Sequence, residues 1–375
     1  MDWRRAASKW KKTRKLLNPA FNVQVVERHV KYFEKHAIVL IEKLKNTIDR
    51  DGFDVLPYIS SCTLDIMCET VMGVTLNTQQ SEHAQYIKDV HGATAIVVRR
   101  LFSVLQRLPL ICRLTKDYKS DQEVLQRSRQ LPQKIIREKK RIKSSGVANG
   151  TSSDDKIVSL LDVLLEAKID GRPLTDVEIL AETQTFLFAG HDTSATAVAL
   201  CLYCLSKNAD AQDEVVKELE AIFGNSSRPP TYTDLREMRY LEMVVKETLR
   251  LYTTAPFISR FVDEDISFED VFIPKGMAVF IFLYGIHMNP NYYPDPEKFN
   301  PSRFENDTIP NSFVPFGSGP RNCIGQRFAM LEVKYLVAQV LRNYKTVEVV
   351  GHIPQRTAAL VLRFNNGIMI KLKRR

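Results

Sequence analysis

A chain of 375 residues with 44% apolar side chains can bury one large core or two ordinary ones, which excludes a disordered chain. Lys and Arg (53) outnumber Asp and Glu (44), and the net charge of +9 suits an acidic partner or an anionic membrane surface. The basic residues are spread out and accompany no zinc-finger or RNA-binding motif, which argues against nucleic acid.

In chain order, the first two thirds read as helix. A basic segment runs from Trp10 to Leu17 and stops at Asn18-Pro19. Asn22 to Asp49 predicts one long amphipathic helix, and Val55 to Met72 a second with Pro57 in its first turn. Lys119 to Lys143 is charged and helical, and Ser144 to Asp155 reads as an exposed loop. Helical pattern returns at Lys156 to Ala167. Thr175 and Glu178 then form a capping box, and the apolar pattern that follows lasts to Leu205, or ~45 Å of helix. Such a helix, poor in charge, crosses the interior of a large domain.

Glu237 to Leu251 predicts another helix. Pro256 to Leu283 alternates and reads as short strands around a Pro274-Lys275-Gly276 turn; Gln326 to Tyr344 is helical again. The last thirty residues suggest a small sheet containing Leu360-Leu362 and Ile368-Ile370. No repeat or domain boundary stands out, so residues 1–375 read as a single domain, mainly α with small β-sheets. No apolar run reaches the ~20 residues of a membrane span.

The six cysteines follow no secretory signal and form no disulfide framework, which fits a reducing compartment. Cys201 and Cys204 lie in an apolar helical run and read as packing residues. Cys323 differs. It sits in Phe316-Gly317-Ser318-Gly319-Pro320-Arg321-Asn322-Cys323-Ile324-Gly325, a glycine-rich loop that leads into a helix. A helix dipole and a neighbouring arginine favour its thiolate, and such a thiolate can be the axial ligand of a haem iron. Gly317 and Gly319 permit positive φ and a close approach to a flat ligand. Arg321 can pair with a haem propionate, Phe316 can shield the sulfur, and Gly325 lets the helix start lie against the macrocycle. A buried structural cysteine is the competing reading, and the five-position spacing outweighs it.

Ala189-Gly190-His191-Asp192-Thr193 lies inside the long helix. Gly190 costs roughly 1 kcal/mol there relative to Ala, which a ligand approaching the backbone would explain. An acid beside a hydroxyl suits proton delivery to iron-bound dioxygen, with Asp192 and Thr193 in those roles. A polar notch in a packed helix is the alternative. His191 reads as an exposed polar residue without a role.

The Cys323 loop resembles the haem-binding signature of the cytochrome P450 superfamily of haem-thiolate monooxygenases, and Asp192-Thr193 matches its oxygen-activation motif. The resemblance covers nearly the whole chain. It implies that Glu247-Thr248-Leu249-Arg250 and Pro301-Ser302-Arg303-Phe304 supply a structural trio of Glu247, Arg250 and Arg303. It also implies that Trp10, Arg14, Arg260 and Arg321 serve the propionates, although a basic helix on an anionic surface is a rival reading for Trp10 and Arg14. The cofactor implied is haem b, with NADPH acting through a reductase. Cytochrome b5, a lipophilic substrate and the cytoplasmic face of the endoplasmic reticulum membrane complete the set.

Within the superfamily the chain is most similar to the fourth family and its insect relatives, many of which hydroxylate fatty acids near the terminal carbon. Many of those carry a Glu at the position of Ala189 that can be esterified to haem. Alanine cannot, so the haem is expected to be held without that bond. The resemblance further implies a fold that begins after the membrane anchor and first sheet. Two readings keep the fold without oxygen insertion: a haem-thiolate isomerase or dehydratase, and a non-catalytic remnant.

Overall fold

The computed structural model describes residues 3–80, 84–103, 109–144, 158–306, 309–357 and 359–375. Most of the loop expected at Ser144 to Asp155 lies outside them.

The chain opens with α1 (Trp3–Leu17) and a short 3-10 turn started by Pro19. Asn22 then caps α2 (Val23–Arg28), its side chain accepting from the Val25 amide at 2.9 Å. The single helix expected from Asn22 to Asp49 is broken at His29, where α3 (Val30–Lys45) begins. The His29 amide donates three residues back, to the Val26 carbonyl at 3.1 Å, which tightens the chain into a turn. The buried His29 ring meets Phe328 edge-on at 5.8 Å, so a tertiary contact sits at the break.

After β1 (Phe53–Asp54), α4 (Leu56–Met67) widens into one π turn over Cys68–Met72, closed by Gly73 at φ +65°. There follow α5 (Ala84–Phe102), α6 (Pro109–Leu114), α7 (Tyr118–Ser144), α8 (Leu160–Glu166), β2 (Lys168–Ile169) and β3 (Arg172–Pro173). The central helix α9 spans Asp176–Lys207. Its capping box is formed: the Glu178 amide reaches Thr175 Oγ1 at 3.3 Å, and the Thr175 amide reaches Glu178 Oε2 at 3.0 Å.

Three further helices are α10 (Ala209–Phe223), α11 (Tyr232–Glu237) and α12 (Arg239–Leu251). The strands expected between Pro256 and Leu283 are β4 (Phe257–Phe261), β5 (Ile266–Phe268), β6 (Val271–Ile273) and β7 (Ala278–Phe282). They form two antiparallel pairs, β4 with β7 and, between them in the chain, the hairpin of β5 with β6. Then come α13 (Leu283–His287), α14 (Gln326–Asn343), β8 (Tyr344–Glu348), β9 (Arg356–Thr357), β10 (Arg363–Phe364) and β11 (Met369–Arg374).

The terminal sheet has the order β1-β11-β8 and is antiparallel throughout. Leu360-Val361-Leu362 is not a strand. Val361 and Leu362 are buried, and the Leu362 amide instead bonds to the Thr254 carbonyl at 2.8 Å. Helices α5 and α10 were not anticipated. In α10, Val215, Leu219 and Phe223 make the inward stripe at four-residue spacing, a legible signal.

Every α9 residue from Ser194 to Ser206 is buried, and the helix packs on α4, α12, α14 and β8. It is therefore the axis of the core. Its low amphipathicity follows, because protein surrounds its C-terminal half on all sides.

Candidate haem-binding site

The Cys323 loop is shaped by its backbone. The Cys323 amide donates to the Phe316 carbonyl at 2.8 Å and the Gly317 amide to Val314 at 2.9 Å. Gly317 and Gly319 take φ of +70° and +73°, where side-chain-bearing residues are disfavoured. Gly325 caps α14; a methyl group on it would lie 4.0 Å from the Cys323 sulfur. From the other end of the chain, Arg14 braces the loop. Its Nη1 donates to the Asn322 carbonyl at 2.7 Å and its Nη2 to Asn322 Oδ1 at 3.0 Å.

Cys323 lines a cavity of about 270 Å³ that is continuous with solvent. Thr193 and Ser194 of α9 line the same cavity. Thr254, Ala255, Ile258 and Leu283 make an apolar side, and Arg260, Arg321 and Phe316 line the rest. The segment from Thr254 to Ile258 thus borders the cavity at three of its five residues. Phe186 and Ala189 are not among the lining residues; Phe186 stacks on Phe21 at 5.5 Å. Sequence reading missed Ser194, Ala197, Met330 and Val333. The last two follow Cys323 on α14, where helical spacing from the cysteine could have found them.

The donor set fits a flat dianionic ligand. Arg321 lies over the Trp10 ring with its guanidinium carbon 3.5 Å from the centroid, and among the described residues no carboxylate pairs with Arg321 or Arg260. Burial and the nearby charge of Arg260 push the Arg321 pKa down, which marks an uncompensated cation pair.

The thiolate is not favoured as the sequence suggested. Although open to the cavity, Cys323 is otherwise enclosed by protein. Burial raises its pKa, and the Gly325 amide and Arg14 only partly offset this. A metal ion, which binds the deprotonated form, would supply what the loop alone does not.

Asp192 and Thr193 face different neighbours. Thr193 borders the cavity, and its hydroxyl donates to the Ala189 carbonyl at 2.6 Å. The Asp192 carboxylate is fully buried and is not among the cavity-lining residues. Arg363 holds it in a fork at 2.7 and 2.6 Å, and His91 Nε2 stands 3.3 Å from its Oδ1. Burial would raise its pKa, but His91, His191 and Arg363 outweigh burial and hold it at about 2. His191 is not exposed: its ring is 1% accessible, and burial pushes its pKa down.

Gly190 has a packing reason. A Cβ there would lie 2.2 Å from the Met67 methyl carbon, so glycine permits the α4–α9 crossing. No ligand approach is needed to explain it.

The trio holds as a buried cluster. Glu247 and Arg250 are both fully buried and pair at 2.7 and 2.8 Å, and Arg303 Nε lies 3.4 Å from Glu247 Oε1.

A family profile described as cytochrome P450 matches residues 4–371. The chain is 35% identical to cytochrome P450 4c3 of Drosophila melanogaster, over 97% of this chain and 71% of that protein. It is 34% identical to cytochrome P450 4d2 of the same fly, over 98% and 76%. Identity to cytochrome P450 4V2 of Homo sapiens is 36%, over 98% and 72%.

Proposed function

Because the chain belongs to the cytochrome P450 family, a family of haem monooxygenases, we propose that it inserts one oxygen atom from O2 into a lipophilic substrate, such as a fatty acid, hormone or foreign compound. The observation that carries this reading is one cavity lined by both Cys323 and Thr193. Haem b held there would supply dioxygen activation and one-electron chemistry, with a thiolate tuning the iron.

Each residue has a task in this reading. Cys323 would ligate the haem iron, and Arg14 positions its loop through Asn322. Arg260 and Arg321, the latter backed by Trp10, neutralise the two propionates. Phe316 covers the sulfur side, Gly319 and Gly325 shape the loop and helix start, and Ala189 leaves the haem without a covalent bond to α9. Thr193 holds a proton at its hydroxyl beside the apolar wall. Asp192 exchanges protons with that region when its carboxylate leaves Arg363.

Electrons come from an NADPH-dependent reductase, with cytochrome b5 as a second donor, at the cytoplasmic face of the endoplasmic reticulum membrane. Among the described residues no helix is long and apolar enough to cross a membrane. The basic α1, with Lys11, Lys12 and Lys15, suits an acidic reductase surface.

The test is the carbon-monoxide difference spectrum of the reduced, purified chain. A thiolate-type Soret band is expected, and Cys323→Ala must lose it. Reductase, NADPH and a fatty acid should then yield a hydroxylated product. A wild-type spectrum without the thiolate band would end this reading.

A further inference from the structure

Beside the cavity-lining Thr193, a second polar group is built into the core around α9. His91 of α5 and His191 and Asp192 of α9 each offer one ligand atom, and these atoms lie within 4.8 Å of one another. The two imidazole rings are parallel, 7° apart, with centroids at 6.3 Å. His191 is fixed by its Nδ1, which lies 2.9 Å from the Leu187 carbonyl and so carries the proton it donates there. Its Nε2 is left with a lone pair, 1% accessible as a residue and without a hydrogen-bond partner. His91 Nε2 is likewise without an aligned partner, although it stands 3.3 Å from Asp192 Oδ1.

We propose that His91, His191 and Asp192 form a binding site for a zinc-type divalent cation.

Three observations converge on this. A buried imidazole nitrogen without a partner is costly, and a cation would satisfy it. A carbonyl behind Nδ1 is the outer-shell arrangement that orients an imidazole toward a metal. Two histidines and one carboxylate with a fourth position open are a zinc donor set. His91 is 32% exposed at its side chain while its Nε2 is buried, so its ring connects the buried ligand atoms to the surface. Bonds of about 2.0–2.2 Å require the three ligand atoms to draw together, mainly across the longest separation. Asp192 can give Oδ1 to the ion and keep Oδ2 on Arg363 Nη2, now at 2.6 Å. The Arg363 Nη1 bond to Oδ1, now 2.7 Å, is the contact that must yield. The guanidinium charge therefore limits affinity, and the site is a reversible, inhibitory one rather than a structural one.

The ion site stands independently of the haem reading. Only its consequence rests on that reading: a bound ion would withhold Asp192 from proton exchange with the cavity and slow turnover.

The experiment is a Co2+ titration of the full chain followed by visible spectroscopy, with Zn2+ as competitor. A ligand-field band without sulfur-to-cobalt charge transfer is expected, at one ion per chain, and Zn2+ should abolish it. His91→Ala should weaken binding at least about 100-fold, the upper end of the loss seen for outer-shell partners. His191 is buried and its replacement risks folding, so Arg363→Gln serves as the second variant; it should tighten binding by about tenfold or more through removal of a nearby like charge. No band at about 1 mM Co2+ would overturn the proposal. So would a charge-transfer band, which would locate the ion at Cys323, or unchanged affinity in His91→Ala. Inhibition of turnover by Zn2+ is read separately on the haem-loaded enzyme, so a failed haem reading leaves the titration intact.

Discussion

Replacing Glu247 by Gln should destabilise the protein by about 3–5 kcal/mol, the range for breaking a buried ion pair from one side. The structure explains why the effect falls at this end of the electrostatic scale. Glu247 Oε1 and Oε2 bind Arg250 Nη2 and Nε at 2.8 and 2.7 Å, and Oε1 also accepts from the Asn300 amide at 2.9 Å. Arg303 Nε lies 3.4 Å away. Loss of the charge strands a fully buried Arg250, which keeps only neutral contacts: the carbonyls of His287 at 3.1 Å and Lys298 at 3.3 Å, the Met288 sulfur at 3.7 Å and the ring of Tyr293. Neither carbonyl nor ring carries a full charge to offset the guanidinium. A surface pair supplies the comparison: Lys217 and Glu214 approach to 2.6 Å but are 68% and 52% exposed, so solvent screens them. Urea unfolding followed by circular dichroism should therefore show a large fall in midpoint for Glu247→Gln and almost none for Glu214→Gln. Because Arg303 and Asn300 lead toward the Cys323 loop, the variant should also retain less haem. Equal, small midpoint shifts in both variants would refute the reasoning.

Gly190→Ala should cost about 1–3 kcal/mol by overpacking against Met67, less the roughly 1 kcal/mol that Ala contributes to a helix interior. Thermal melts of Gly190→Ala with and without Met67→Ala check this, since the second change should relieve the first. Glu332 is fully buried and burial raises its pKa to about 8, against 4.5 ordinarily. The native state thus keeps a proton that the unfolded state releases, and stability falls as pH rises from about 4.5 to 8. The fall is on the order of a few kcal/mol at 1.36 kcal/mol per pH unit, and Glu332→Gln should flatten it; parallel pH profiles for the two proteins would count against the assignment. Arg260→Ala and Arg321→Ala should each speed haem loss to an apo-myoglobin acceptor, and the double variant more so.

Local chemistry was legible where neighbours in sequence do the work. The Thr175–Glu178 capping box, the strands between Pro256 and Leu283 and the glycine positions of the Cys323 loop depend on spacing over a few residues. The break at His29 was not legible, because a ring from α14 sits against it. His91 and Arg363 were also missed as partners of Asp192: a lone histidine and a lone arginine carry no sign of a carboxylate that lies far along the chain.

The amino-acid order alone determined the mainly helical class, the long central helix and which of the six cysteines sits in a glycine-rich loop, since each follows from periodicity or from conformations only certain residues adopt. Tertiary structure decided which way side chains on one helix turn. It set Thr193 toward the cysteine, Asp192 toward Arg363, and the bare face of Gly190 against Met67. Adjacent helical positions point about 100° apart, and which direction holds ligand, ion pair or core depends on the elements that pack there.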